Sequence, residues 1–315
     1  MACWGGMADP IATAVVCAYA HVGREALAGL LEAGIQVQAL YTYAQAPDEA
    51  WFEPPAVLAG HAGIPVRMEP RFNEDSVFEA IRALRPDLLL SFYFREMIQA
   101  RFLDIPRLGA YNLHGSLLPN YRGRAPINWV LVKGERETGV TLHAMTPKPD
   151  DGDILGQARI PMDWDETALS LTRKAADAGR ELVRRLLPAI VAGSAVRVPQ
   201  KTLGPSTYFG GRKPEDGELR FDMSAADAFN LVRAVADPWP NAFLRTGSGI
   251  IHVPWAVPSE VACPPGRFRL AQGGVHLGFT DGSLRIGSLR VASGRLDRAT
   301  EQASILAAHG LVAAG

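Results

Sequence analysis

Cys3, Cys17 and Cys263 are the only cysteines in this 315-residue chain. They are odd in number and far apart, which excludes a disulfide framework and a paired metal-ligand spacing. A reducing compartment follows. No apolar run reaches the roughly 18 residues of a membrane helix. The longest near the start, residues 11–20, stops at His21. The opening Met-Ala-Cys-Trp-Gly-Gly has neither a basic region nor an apolar core, so no secretory signal is read there. Met7 offers an alternative start to Met1. A cytoplasmic protein is expected. Charge excess is missing too, with 32 Lys+Arg against 33 Asp+Glu. That balance argues against a chain built around nucleic-acid phosphates. Repeats and low-complexity tracts are lacking. So are the phosphate loops: Ala20-His21-Val22-Gly23, not Gly-x-Gly-x-x-Gly, follows the first apolar run, and no P-loop occurs.

What is present is ordinary globular composition, 48% hydrophobic and 21% charged, which excludes wholesale disorder. The length suits about two domains of roughly 100–200 residues each. Strand-like apolar runs at 11–20, 35–42, 65–68, 87–93 and 109–113 alternate with helical spacing at 22–33, 55–62 and 76–84. Such alternation predicts βαβ units and a parallel sheet. A helix over 125–133, a strand over 138–145 and a long helix over 166–187 follow, with Pro188 expected to kink or end the last. Arg173, Lys174, Arg180, Arg184 and Arg185 on that helix read as a solvated basic face. Beyond a Gly/Pro-rich linker near 195–206, one helix over 225–236 precedes short strands at 250–253, 267–271, 274–279 and 283–291. Asp281-Gly282 is a hairpin signal between the last two. A small β-rich second domain is expected.

Ligands of an open parallel sheet bind beyond the carboxyl ends of its strands. Asn112 and His114 stand at such an end, two residues apart and so on one face of their strand. A histidine moves protons near neutral pH, and an amide donates to a developing oxyanion. The pair suits attack on a carbonyl-like carbon; a capping Asn beside a structural His is the plainer account. Asp150, Asp151 and Asp153 crowd a second turn. One of them near His114 would raise its pKa. They also fit a solvated turn or a cation site, and spacing alone does not choose. No His/Cys set has metal-ligand spacing. His21 and His143 read as structural, and Trp129 and Trp239 as packing anchors. Arg212-Lys213 sits on a loop where a phosphate could meet it.

Asn112-x-His114-x-Ser116-Leu117-Leu118-Pro119, followed by Asp150-x-Gly152, resembles the 10-formyltetrahydrofolate-dependent formyltransferases. The wording of Ser91-Phe92-Tyr93, of Tyr121-Arg122-Gly123-Arg124-Ala125-Pro126 with Asn128-Trp129, and of the run from Arg233 to Pro240 is most similar to the ArnA branch, the formyltransferase domain of bifunctional polymyxin resistance proteins. The resemblance implies a Rossmann-like formyltransferase domain over 1–200 and a smaller OB-like β-rich domain over 207–315. It implies His114 as the proton carrier, Asn112 as the oxyanion donor and Asp150 as the group tuning the histidine. It implies 10-formyltetrahydrofolate as donor, lying along Glu96, Met97 and Ile98 and along Thr146, Pro147, Lys148, Pro149 and Asp150, with no metal. Arg124 and Asn128 are implied as contacts for a nucleotide-sugar acceptor, UDP-4-amino-4-deoxy-L-arabinose, as in lipid A modification. Methionyl-tRNA and other nucleotide-linked amino sugars are the alternatives within the family; a non-catalytic folate- or nucleotide-binding module is a remote one. The bifunctional relatives continue into a second catalytic domain, so a separate UDP-glucuronate dehydrogenase/decarboxylase is the expected pathway partner.

Overall fold

The computed structural model describes residues 12–69 and 71–314. Cys3, Met1 and Met7 lie outside the described residues. The first sheet is built from β1 (Thr13–Ala18), β2 (Gln36–Tyr41), β3 (Val66–Arg67), β4 (Leu88–Phe92), β5 (Gly109–His114), then, past the two-residue β6 (Arg122–Gly123), β7 (Glu137–Ala144) and β8 (Ile154–Pro161). The helices between them are α1 (Ala20–Glu32), α2 (Pro55–His61), α3 (Asp75–Leu84), α4 (Ala100–Leu103) and α5 (Pro126–Val132), with α6 (Ala168–Val191) after β8. The strand order is β3-β2-β1-β4-β5-β7-β8.

The first five of these run parallel, as the alternation predicts. β7 instead pairs antiparallel with β5. All five residues of β4, Ser91 among them, are buried, because helices cover both faces of a parallel sheet and leave no solvent-facing position. One face of this core gathers Val15, Cys17, Tyr41, Phe72, Ile81 and Leu89. Helix α1 lies close against α6: a Cβ on Gly29 would stand 2.3 Å from the Arg180 carbonyl oxygen.

Three details depart from the sequence reading. Helix α6 runs on through Pro188. The ring removes one backbone donor, yet the last turn still closes, with Ala192 N–H on Pro188 O at 3.0 Å. Arg180 is no mere solvated charge, since its guanidinium pairs with Glu25 at 2.8 Å and with Glu32. Strand β8, an addition to the pattern, carries mixed polar and apolar residues of which only Ile154 and Ile160 are buried.

The second sheet has the order β10-β11-β14-β13-β12-β16. After the short β9 (Tyr208–Phe209), the elements are α7 (Ala225–Ala234), β10 (Ala242–Thr246), β11 (Gly249–Ser259), β12 (Arg267–Ala271), β13 (Gly274–Gly278), β14 (Ser283–Val291), β15 (Gly294–Leu296), α8 (Ala299–Ala308) and β16 (Val312–Ala313). Phe279 N–H on Gly282 O at 2.8 Å closes the turn that Asp281-Gly282 signals. β10 and α8 are additions to the sequence reading. Val232, Leu244, Ile251, Val275, Leu277 and Leu306 are buried in its core, and Trp239 packs against it.

By contacts the chain divides into two compact units. One takes in the chain up to Arg122, Gly139–Ile160 and Arg173–Thr207; the other takes in Gly123–Thr138, Pro161–Thr172 and the chain from Tyr208. Among the described residues no helix is long and apolar enough to cross a membrane. Cys17 and Cys263 are both buried free thiols.

Candidate active site

Strand geometry assembles the site. Asn112 and His114 alternate with buried Leu113 and so project from the same face of β5. The antiparallel register sets His143 of β7 directly opposite Asn112 and Thr141 opposite His114, and residues so paired share a face. The Asn112 amide Nδ2 stands 3.1 Å from His143 Nε2. His143 Nδ1 stands 2.8 Å from the Ala144 carbonyl oxygen. A carbonyl only accepts, so Nδ1 carries the proton and Nε2 is left to accept from the Asn112 amide. His143 thereby fixes which end of the Asn112 amide is the donor. One amide proton goes to His143 and the second remains.

His114 is read the same way. Its Nε2 stands 2.8 Å from the Tyr121 carbonyl oxygen, so Nε2 holds the proton. Its Nδ1 faces Asp150 Oδ1 at 3.4 Å, a contact that becomes attractive when Nδ1 also takes up a proton. The same carboxylate oxygen is 3.6 Å from His143 Nε2. The His114 side chain is only 7% exposed. Burial pushes its pKa below the ordinary 6.5, Asp150 and the Tyr121 carbonyl pull it up, and His143 pushes it down; the net direction is downward. The rise expected from Asp150 is therefore outweighed by loss of water, because desolvation disfavours the imidazolium.

The loop around Tyr121 is shaped by its own polar contacts. Ser116 Oγ donates to Asn120 O at 2.6 Å, and Thr141 Oγ1 donates to Ser116 O at 2.6 Å. Asp150 reaches His114 from a turn where it takes a left-handed φ of 51°. Next to it, Gly152 has no room for a side chain: a Cβ there would lie 1.9 Å from the Ala144 carbonyl oxygen. Asp151 does not simply face water, since Arg122 Nη1 holds it at 2.6 Å. Asp153 contributes its carbonyl, which accepts from Ala144 N–H at 2.8 Å.

Glu96, Met97 and Ile98 follow β4. The Glu96 carboxylate accepts from Phe72 N–H at 3.2 Å, Met97 is 49% exposed, and Ile98 is buried. Across Thr146, Pro147, Lys148, Pro149 and Asp150, the chain is exposed or half-buried. Pro147 and Pro149 lack N–H groups, so this loop offers mainly carbonyl acceptors.

Arg124 and Asn128 belong to the other unit. Arg124 is exposed, its backbone N–H held by Phe209 O at 3.0 Å. Asn128 spends an amide proton on Ala234 O at 2.6 Å. Trp129 is a packing anchor, donating to Gly210 O at 2.9 Å and stacking on Phe209. Arg212 lies over the Trp129 ring at 4.8 Å.

Within the first unit the structure thus brings Asn112, His114 and Asp150 together, and it adds His143 and the Tyr121 carbonyl. The signal for His143 was strand register, which local spacing does not carry.

Residues 21–187 match the family model described as Formyl transferase, and residues 212–304 match Formyl transferase, C-terminal domain. Similar folds occur among solved structures. The N-formyltransferase from Helicobacter canadensis, solved with folinic acid and dTDP-3-aminofucose, is 18% identical with a TM-score of 0.68, over 88% of this chain and 98% of that one. WlaRD, a sugar 3N-formyl transferase solved with dTDP and 5-N-formyl-THF, is 16% identical with a TM-score of 0.68, over 91% of this chain and 99% of that one. HypX from Aquifex aeolicus, solved with tetrahydrofolic acid, is 18% identical with a TM-score of 0.63 and overlaps 96% of this chain. The chain spans about half of HypX, 48% of its length.

Proposed function

This chain belongs to the formyl transferase family and is a one-carbon transferase, and from that premise we propose that it works in the cytoplasm, moving formyl from 10-formyltetrahydrofolate to the 4-amine of UDP-4-amino-4-deoxy-L-arabinose. The observation that carries the reading is the meeting of Asn112, His114 and Asp150 on one side of β5, with His114 Nδ1 3.4 Å from Asp150 Oδ1. The domain limits proposed for this work are 1–200 for catalysis and 207–315 for the appended β-rich domain.

The bound donor supplies an electrophilic formyl carbon. The second amide proton of Asn112 stabilises the negative charge that develops on the formyl oxygen, the kind of contact worth about 10²–10³ in kcat. His114, with Nε2 committed to Tyr121, exchanges protons at Nδ1. It takes the proton released by the attacking amine and returns it to the leaving folate nitrogen, so the amine gains the formyl group and the folate gains a hydrogen. Asp150 compensates the passing positive charge on the ring. The loop from Thr146 to Asp150 and the stretch Glu96, Met97 and Ile98 receive the folate ring system.

For the acceptor, support comes from the run Arg122 to Trp129, whose wording is that of the ArnA branch. Arg124 is exposed and its guanidinium fork matches a diphosphate better than an ammonium does. Asn128 is the second proposed sugar-nucleotide contact. A second reading, a dTDP-linked amino sugar, is favoured by the dTDP-3-aminofucose and the dTDP with which two similar folds were solved. The UDP reading brings with it a UDP-glucuronate dehydrogenase/decarboxylase activity as supplier of the precursor. One assay separates the readings: purified protein, 10-formyltetrahydrofolate, and UDP-4-amino-4-deoxy-L-arabinose, a dTDP-3-aminosugar or methionyl-tRNA in parallel. Formylation of the UDP sugar alone is expected. Formylation of the tRNA alone would overturn the sugar reading.

A further inference from the structure

The turn that presents Asp150 is held by a residue some fifty positions away. Gln200 opens a short 3-10 turn, Gln200–Leu203, and is only 3% exposed. Just before it, Val198 and Ile154 exchange both backbone hydrogen bonds at 2.9 Å, which docks the segment against the first residue of β8. The Gln200 side chain then uses its whole capacity. Nε2 donates to Asp150 O at 2.9 Å and to Gly152 O at 2.7 Å. Oε1 accepts from Arg122 Nε at 3.2 Å and from Arg122 Nη2 at 2.8 Å. The remaining arm of Arg122 reaches Asp151 at 2.6 Å.

These contacts matter for what they join. Arg122 follows Tyr121, whose carbonyl holds the Nε2 side of His114. Asp150 faces the Nδ1 side. The two groups gripping the imidazole from opposite sides sit on two chain segments, and Gln200 ties those segments to each other. Only an amide side chain offers two donors and an acceptor oxygen without charge. A carboxylate in its place would face the Asp150 and Gly152 carbonyl oxygens with nothing to donate.

We propose that Gln200 is a positioning residue for formyl transfer: it fixes the Tyr121 carbonyl and the Asp150 carboxylate relative to each other, so that the carbonyl keeps the resting His114 proton at Nε2 and the carboxylate faces Nδ1 to balance the charge when that nitrogen takes up a proton. The proposal rests on His114 being the proton carrier.

The test uses the full chain with 15N-labelled histidine, in wild type, Gln200→Ala, Gln200→Glu and Arg122→Lys. Arg122→Lys keeps the charge and gives up the fork, so the proposal stays testable if the Gln200 variants do not fold. Two readouts are taken: the His114 ring-nitrogen shifts, and kcat and KM with 10-formyltetrahydrofolate and UDP-4-amino-4-deoxy-L-arabinose. In wild type the Nε2-protonated pattern is expected. In the variants the two ring nitrogens should move toward each other as tautomers exchange. Turnover should fall about tenfold to a hundredfold, the scale set by misplacing a reacting group by about 1 Å, with both KM values nearly unchanged. Folded variants that keep either the wild-type nitrogen pattern or the wild-type kcat overturn the proposal. The nitrogen pattern needs no substrate. A wild-type chain that formylates no acceptor, yet loses the Nε2 pattern in these variants, would sink the functional reading and leave the hold on His114 standing.

Discussion

Asn112 and His143 face each other across an antiparallel strand pair, amide nitrogen to imidazole nitrogen at 3.1 Å. The contact works in one direction only, because the other His143 nitrogen donates to Ala144 O. Asn112 is thereby presented nitrogen-first, with one amide proton to spare. Asn112→Ala should cost about 10²–10³ in kcat, the usual loss of an oxyanion donor. His143→Ala should cost less, since the amide survives but is free to turn over. Steady-state kinetics on both variants, with folate binding followed by fluorescence quenching, check the order. A His143 variant with wild-type kcat would mean that the amide needs no such support.

His114 should set the acid limb of the rate profile. Its folded pKa lies below the ordinary 6.5, with burial the largest cause. The neutral ring that accepts the amine proton therefore still predominates at pH 6.5, and the midpoint of the fall in kcat lies below that value. Asp150→Asn removes the strongest upward pull, so its limb should move further down the pH scale while kcat drops by about 10²–10⁴, the range of a lost acid-base contribution. Stability follows the same sign. The unfolded chain binds this proton more readily than the folded one, so the contribution of neutral His114 is intact above pH 6.5 and is lost as pH falls through the lowered folded value. Urea melts of wild type and His114→Gln from pH 7.5 downward should draw together under acid conditions. Parallel curves throughout would contradict the buried neutral ring.

Much of this arrangement is legible in the amino-acid sequence, for identifiable reasons. Strands buried on both faces read as unbroken apolar runs, which is why β1 and β4 stand out. The two-residue spacing of Asn112 and His114 is likewise a local fact. β8 hides because Gln157 and Arg159 interrupt it and only two of its eight positions are buried. His143 joins the site through register, and Gln200 through docking of Val198 on Ile154; neither relation leaves a mark within its own stretch of chain. Pro188 does not end its helix, because propensity is a local rule that the packing of a long helix overrides.

Gly152 couples stability to catalysis. A methyl group there would lie 1.9 Å from the Ala144 carbonyl oxygen, and 3.2 Å from the Thr146 side chain. The two nearest atoms are both Ala144 backbone and leave little to yield, so Gly152→Ala should destabilise by about 1–3 kcal/mol, the usual scale of overpacking. The turn would relieve the clash by moving, and Asp150 would move with it. Thermal melting should show the loss, and kcat should fall in the protein that still folds. A variant with unchanged melting temperature would show that this turn accommodates a side chain after all.

Two helical glycines should respond oppositely to the same change. Gly29 lies where α1 meets α6, its would-be Cβ 2.3 Å from Arg180 O, so Gly29→Ala must push the helices apart. That should cost about 1–3 kcal/mol, aggravated by loss of the Arg180 pairs to Glu25 and Glu32. Gly60 sits in α2 with nothing within 4 Å of a Cβ. Alanine there pays no steric penalty and restricts the unfolded chain, so Gly60→Ala should stabilise by about 0.5–1 kcal/mol. Denaturant midpoints of the two variants should therefore fall on opposite sides of wild type. If Gly29→Ala were neutral, the close approach of α1 to α6 would not be a constraint on this fold, and the Arg180 ion pairs would have to be explained without it.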